Sequence, residues 1–430
     1  MYQLGIERAG IPTVTIVTNS FMGLARSTMK SEGASSLAFV EIQHPVGGIG
    51  KEEVEAKAKA ILDEVIQKAI SWKSEGDLST AKESYYPAKT VKIRGAYEDI
   101  NDFYFRQKWT DGFPVIPPTK ERVEAMLAGT SLPPDRMIMK IPPREAGLTV
   151  EGIAINGVMA GCRPEYMPIL VSAFELLAEE THKGWDLRQP QVTTNPVSIA
   201  LVVSGPIAKE IGVHSGGGLL GPGYHANATI GRAFQTILRN VGGAHSPSPN
   251  QATHGQSGEF SMCIAENDDN PWGPLRTQLG FGKEESVVIL FPMFQRRNVN
   301  DHWNTTGKGI LTTIAHEMAV VESPLLRDAM LLIILGPEHA STVSKDKWDL
   351  KNIRRFLYEW GRVPFSRFIP GGGGWPSVPK WIAEAPEATC MVPVVNRPED
   401  ILVGVAGGAG KHSMIFVGGY GEAIGGLIKK

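Results

Sequence analysis

VSIALVVSGP, Val197–Pro206, is the run on which the fold turns. It is short, rich in β-branched residues and apolar without alternation, which is the pattern of a strand covered on both faces. Ser204-Gly205-Pro206 then ends it, because glycine and proline punctuate extended runs and open the turn that follows. The same ending recurs. Leu331–Leu335 (LLIIL) stops at Gly336-Pro337, Ile401–Val405 is followed by Gly407-Gly408, and Ser286–Phe291 is a further buried run. Helix, buried strand, Gly-Pro and helix follow one another around 165–212 and again around 308–358, so the fold class is α/β. An internal duplication is an open alternative, since strand–turn–helix units resemble each other by necessity.

Working outward, the N-terminal segment reads β-α-β-α. Ile11–Thr18 (IPTVTIVT) suits a strand buried on both faces, Phe21–Met29 a helix, and Leu37–Ile42 a second strand. After the turn HPVGGIG, Glu52–Trp72 spaces Val54, Ala58, Ile61, Val65 and Ala69 at helical intervals among charges. Two strands with helical crossovers are an incomplete, Rossmann-like half-domain, because a parallel sheet needs more strands with both faces covered. The expected organisation is a partial unit over 1–75, a linker over 76–100, an α/β unit over 101–285 and a second α/β unit over 286–430 packed on it.

At 430 residues, with 42% hydrophobic and 20% charged residues, the composition is globular and multidomain rather than disordered. A net charge of −2 gives no electrostatic reason to expect nucleic acid or an anionic membrane surface. No run approaches bilayer length and the start lacks signal-peptide character. Cys162, Cys263 and Cys390 are too few and too scattered for a disulfide scaffold, so a soluble, cytoplasmic protein is expected.

Gly212–Gly243 is the richest candidate for ligand binding. Gly216, Gly217, Gly218, Gly221 and Gly223 precede a helix expected from about Ala226 to Asn240. Glycines let backbone N–H groups approach a ligand, and a helix N-terminus favours an anion. His214, His225, Asn227 and Arg232 lie on or beside it. The spacing fits neither a Walker loop nor a dinucleotide fingerprint, so no nucleotide motif is present. The alternative is a tight glycine connection packed on a sheet.

Ser261–Trp272 (SMCIAENDDNPW) brings Cys263 close to Glu266 and Asn267, a nucleophile-plus-base or metal-ligand pattern if thiol and carboxylate meet. Otherwise Cys263 is a small buried hydrophobe. Cys162 precedes Arg163-Pro164, where the field of a helix starting there would lower its thiol pKa. His316-Glu317 lacks a second zincin histidine, His339 follows a strand end, and Gly407–Ser413 offers Lys411 and His412 to an anion; these are weaker signals.

Several stretches resemble the UGSC-motif (seleno)proteins and their larger relatives. GIPTVTIVTNSFMGLAR and the HPVGG turn are similar to the part of the UGSC domain downstream of its motif. WTDGFPVIPPTKERVEAML, INGVMAGCRPEYMPIL, GPGYHANATIGRAFQTILRNVGG and CIAENDDNPW are similar to the companion domain. The motif itself, selenocysteine or cysteine followed by Gly-Ser-Cys, is missing from this chain. The resemblance implies a redox or sulfur-related enzyme and points to Cys162, Asn227, Arg232, Cys263 and Glu266.

The leading expectation is an enzyme subunit acting on a small anionic substrate. Cys263, Glu266 and Cys162 carry thiol or redox chemistry; Gly217, Gly218, Gly221, His225, Asn227, Arg232 and Asn267 bind substrate. The missing motif and the incomplete sheet imply a hetero-oligomer in which a small subunit carries the CGSC-like strand. One alternative is a metal-dependent lyase or hydrolase with a transition metal held by His214, His225 and Cys263; another is a non-catalytic scaffold subunit.

Overall fold

The computed structural model describes the chain except residues 1–2, 4–5, 8–9, 32–36, 73–84, 184, 247–248, 320–329, 365–389 and 430. Near the N-terminus, strand β1 (Thr15–Thr18) pairs in parallel with β2 (Phe39–Ile42), with helices Met22–Ser31 and Lys51–Ile70 beside them. β1 is half exposed rather than buried on both faces, with Ile16 52% exposed, because no third strand and no second covering layer reach it among the described residues. Helix Lys51–Ile70 buries none of its side chains, and Leu62, Ile66 and Ile70 face outward.

The rest of the molecule starts with helix Tyr97–Arg106 and a hairpin of β3 (Met137–Ile141) and β4 (Ala146–Thr149). Its centre is one seven-stranded mixed sheet. The members are β5 (Ser198–Ser204), β6 (Cys263–Ala265), β7 (Val287–Asn300), β8 (Leu331–Leu335), then, after the small ribbon β9 (Arg362–Pro364) and β10 (Met391–Pro393), β11 (Ile401–Val405), β12 (His412–Gly418) and β13 (Ile424–Leu427). The order is β11-β8-β12-β7-β5-β6, with β13 also on β7. Only β5–β6 and β8–β11 run parallel; β7 and β12 are antiparallel to their neighbours. The expected boundary at 285/286 falls inside this sheet, since β5 pairs with β7.

The sheet is curled, and side-chain alternation along each strand shows it. Ala200, Val202, Ile264, Ile289, Phe291, Leu332, Ile334, Leu402 and Phe416 come together in one inner cluster. Their neighbours point outward. Leu201, Val203, Cys263 and Leu290 pack under helices Val150–Ala160, Met167–His182 and His225–Asn240. Ile333, Val403, Ile415 and Val417 pack under Gly307–Met318, Pro337–Lys345 and Leu350–Trp360. The runs expected to be buried strands are therefore apolar on both faces because each face meets a different core. Loops draw the outer strands β6 and β11 together: Asn267 N–H donates to Val405 O at 2.7 Å, and Gly216 bridges Gly407.

Among the described residues no helix is long and apolar enough to cross a membrane.

Candidate functional site

The glycine-rich loop before helix His225–Asn240 is held rigidly from within. Asn227, 5% exposed, accepts from His214 N–H at 2.8 Å and donates to His214 O at 2.9 Å. His214 stacks on Tyr224 at 3.6 Å between ring centroids, and the Tyr224 hydroxyl donates to Gly217 O at 2.6 Å. Gly218 takes φ +74°, which favours glycine, and its carbonyl accepts from Gly221 N–H at 2.6 Å. Opposite, a Cβ on Gly408 would lie 2.7 Å from Gly217 Cα, so these two backbones can pass only without side chains. Behind the crossing is a cavity of about 170 Å³ floored by Leu219, Leu220, Ile264, Ile334 and Phe416.

The thiols do not share that cavity. Ile264 lines it, and Cys263, one residue earlier on β6, points to the opposite face, beneath helix His225–Asn240. The same alternation separates Cys263 from Glu266: three residues apart on an extended chain, they face opposite ways. Glu266 is instead bound by Ser204 Oγ and by Leu275 N–H at 2.8 Å, with Arg276 4.0 Å away. Burial raises its carboxyl to about 7 against the pull of those donors. Burial pushes the Cys263 thiol far up, and the Cys162 thiol up to about 12. The lowered Cys162 pKa expected from a helix start does not occur: desolvation outweighs the field, and Cys162 Sγ is bonded to Thr229 O at 3.2 Å.

The histidines expected as metal ligands are also apart in function. His214 is stacked as described, and His225 Nδ1 meets Tyr166 Oη at 3.2 Å. With Cys263 facing the core, the three do not form one ligand set. Among the described residues there is no group of three or more His, Cys, Asp and Glu placed to hold a metal. Asn267 serves the β6–β11 closure through its backbone.

Arg232 is engaged by the WTDGFP loop. Its guanidinium makes a two-pronged pair with Asp111, 2.7 Å to Oδ2 and 2.8 Å to Oδ1, and donates to Pro114 O at 2.9 Å. Burial works to raise the Asp111 carboxyl, but the bonds and charge of Arg232 outweigh it and hold it below the usual range. Asp111 also accepts from Phe113 N–H at 3.1 Å, an Asx-type turn that shapes the WTDGFP loop. Arg239, two helical turns after Arg232, lies on the same side of the helix. It is largely buried, its Nη1 has no hydrogen-bond partner among the described residues, and its Nη2 reaches only Glu259 O at 3.4 Å.

Asp111 and Arg239 border an open cleft of about 870 Å³ with Arg106, Lys108, His245, His254 and Glu259 in its wall. Burial raises the Glu259 carboxyl above its ordinary value, although Gln256 N–H at 2.9 Å, Arg239 and Asn250 oppose the rise. Burial, reinforced by Arg144, Arg239 and Lys108, pulls His245 down to about 4, so its ring is neutral at neutral pH. The sequence reading named Arg232, which pairs with Asp111 beside the cleft, but not Asp111, Arg239, His245, His254 or Glu259. Two signals were available: the seven-residue interval between the arginines, and the polar connection 244–260 that carries both histidines and the glutamate.

No curated protein and no solved structure matches the chain. Residues 4–71 match the model of the UGSC family, so this N-terminal segment is similar to that family.

Proposed function

We propose that the chain is an enzyme subunit that binds a small carboxylate- or phosphate-bearing substrate in the Arg239 cleft and moves a proton there. The observation that carries this reading is Arg239 itself, which lines a cleft of about 870 Å³ and whose buried Nη1 has no hydrogen-bond partner among the described residues. A buried guanidinium without its full set of partners is costly, and an oxyanion satisfies it with strong, charge-assisted bonds. The cleft volume lies in the range of small-molecule sites. Arg106 and Lys108 add positive charge at its edge.

Within the cleft the roles divide by protonation. Glu259, whose carboxyl burial raises above its ordinary value, is the candidate to take up and return a proton. His245, kept neutral, is suited to hydrogen-bond a substrate oxygen without competing for its negative charge. Arg232 and Asp111 position the WTDGFP wall. The buried thiols are outside this division of labour, so acid–base chemistry is better supported than thiol redox chemistry.

Calorimetric titration of the full chain with acetate, succinate and inorganic phosphate tests the reading. Arg239→Gln is expected to weaken the anion that binds by about 10- to 100-fold, the value of a charged hydrogen bond. Glu259→Gln is expected to leave that binding largely intact. Equal binding by the parent and the Arg239→Gln protein would refute the assignment.

A further inference from the structure

His412, in the wall of the glycine-walled cavity, meets a second imidazole, His302, that the cleft does not use. His302, in the turn after β7, and His412, at the start of β12, are both exposed, and their Nε2 atoms stand 3.2 Å apart. The other nitrogen of His412, Nδ1, lies 3.2 Å from Asn298 Oδ1. An amide oxygen only accepts, so Nδ1 carries the hydrogen and the Nε2 lone pair of His412 is bare and aimed at His302. Asn298 and His412 sit on the paired strands β7 and β12, facing the same side as Met414, and Lys411 Nζ donates to His302 O at 3.3 Å. His412 is thus set on a strand with its ring oriented by Asn298, while His302 stands in the adjoining turn.

We propose that His302 and His412 bind a divalent transition-metal ion, Zn²⁺ or Cu²⁺, through their Nε2 atoms. Two imidazole nitrogens on a tetrahedral zinc, each at about 2.0–2.1 Å, stand about 3.3 Å from each other, which is the separation seen here. Asn298 is the outer partner that fixes the ligand tautomer, as metal-bound histidines commonly require. His412 and Asn298 line the 170 Å³ cavity, so the remaining coordination positions lie beside it, open to water or a small ligand. The alternative, an imidazole–imidazole hydrogen bond with no ion, has a different outcome in the same experiment.

Untagged full-length protein stripped with chelator is titrated with ZnCl₂ by calorimetry. One ion is expected per chain at this site, lost in His302→Ala and in His412→Ala, and weakened about 10- to 100-fold in Asn298→Ala. The electron paramagnetic resonance spectrum of bound Cu²⁺ is expected to show splitting from two imidazole nitrogens, reduced to one in His302→Ala. His302→Ala changes an exposed turn residue, which keeps the test readable should His412→Ala fold poorly. No metal uptake, or uptake unchanged in both histidine variants, would overturn the proposal. Anion binding in the Arg239 cleft is measured separately, and its loss or persistence has no bearing on this site.

Discussion

The two sides of helix His225–Asn240 meet opposite kinds of neighbour. Inward, Gly231, Phe234 and Ile230 close on β6 and on the thiol of Cys263, with every group desolvated and nothing left to react. On the other side, Arg232 pairs through Nε and Nη2 with the WTDGFP loop, and Arg239 lines a cleft open to water with its Nη1 unpartnered among the described residues. Burial alone does not make chemistry. It raises a cysteine pKa and thereby silences it, whereas at the cleft burial raises the Glu259 carboxyl and, with the positive charges of Arg144, Arg239 and Lys108, lowers the His245 imidazole. The difference lies in access to solvent and to partners, not in residue type.

The strongest way to break this contrast is to push the helix off its dry side. A Cβ on Gly231 would lie 2.5 Å from Ser261 Oγ and 2.6 Å from Met262 N, and the backbone of β6 has no room to yield. Gly231→Val is expected to cost at least about 3 kcal/mol in urea denaturation, as overpacking against backbone does. It should also weaken anion binding at Arg239, because the helix carries both faces. A variant of near-parental stability would mean that the inner face is not the rigid base of the cleft.

Glu266 sharpens the contrast from the dry side, since it is ionisable, buried and outside the cleft. Its folded carboxyl is raised to about 7. A raised pKa contributes stability that is complete below the unfolded carboxyl value, and that contribution is lost as pH rises through the folded value. Stability is therefore expected to fall between about pH 5 and pH 8, and Glu266→Gln should flatten this slope by keeping the side chain neutral. Anion binding should not change. An unaltered pH profile in the Gln variant would show that Glu266 is ionised in its network with Arg276 and Ser204.

Much of the framework was legible because buried strands leave a mark in composition. VSIALVV, LLIIL and Ile401–Val405 became β5, β8 and β11, and their Gly-Pro endings became strand-to-helix turns. The helix starting near Ala226 was visible through its apolar spacing and glycine approach. Strand order was not legible, because pairing β7 between β12 and β5 depends on contacts far apart in the chain. For the same reason the curl, and with it the side on which Cys263 falls, was hidden. A strand of three residues between a glycine loop and a turn has no periodicity long enough to show which face is outward. A thiol stands out in a sequence by its chemistry, whereas Arg239, two helical turns beyond Arg232, stands out only by its spacing.

The smallest effects should come from the thiols, and they test whether the dry side is as inert as it looks. Cys162 donates to Thr229 O and packs at the edge of the core; Cys263 is 3% exposed. Thiolate, not thiol, reacts with disulfide reagents, and burial has moved both groups far from ionisation at neutral pH. Neither should be titrated by such a reagent in the folded protein, and both should be once it is unfolded in urea. Cys162→Ala removes one hydrogen bond and a little packing, so a loss of about 1 kcal/mol is expected, with anion binding unchanged. Cys263→Ala leaves a small void beneath the helix and should cost about the same. Rapid labelling of Cys162 or Cys263 in the native state would require the helix to open on a short timescale. The separation between a dry inner face and an open outer one would then be dynamic rather than structural.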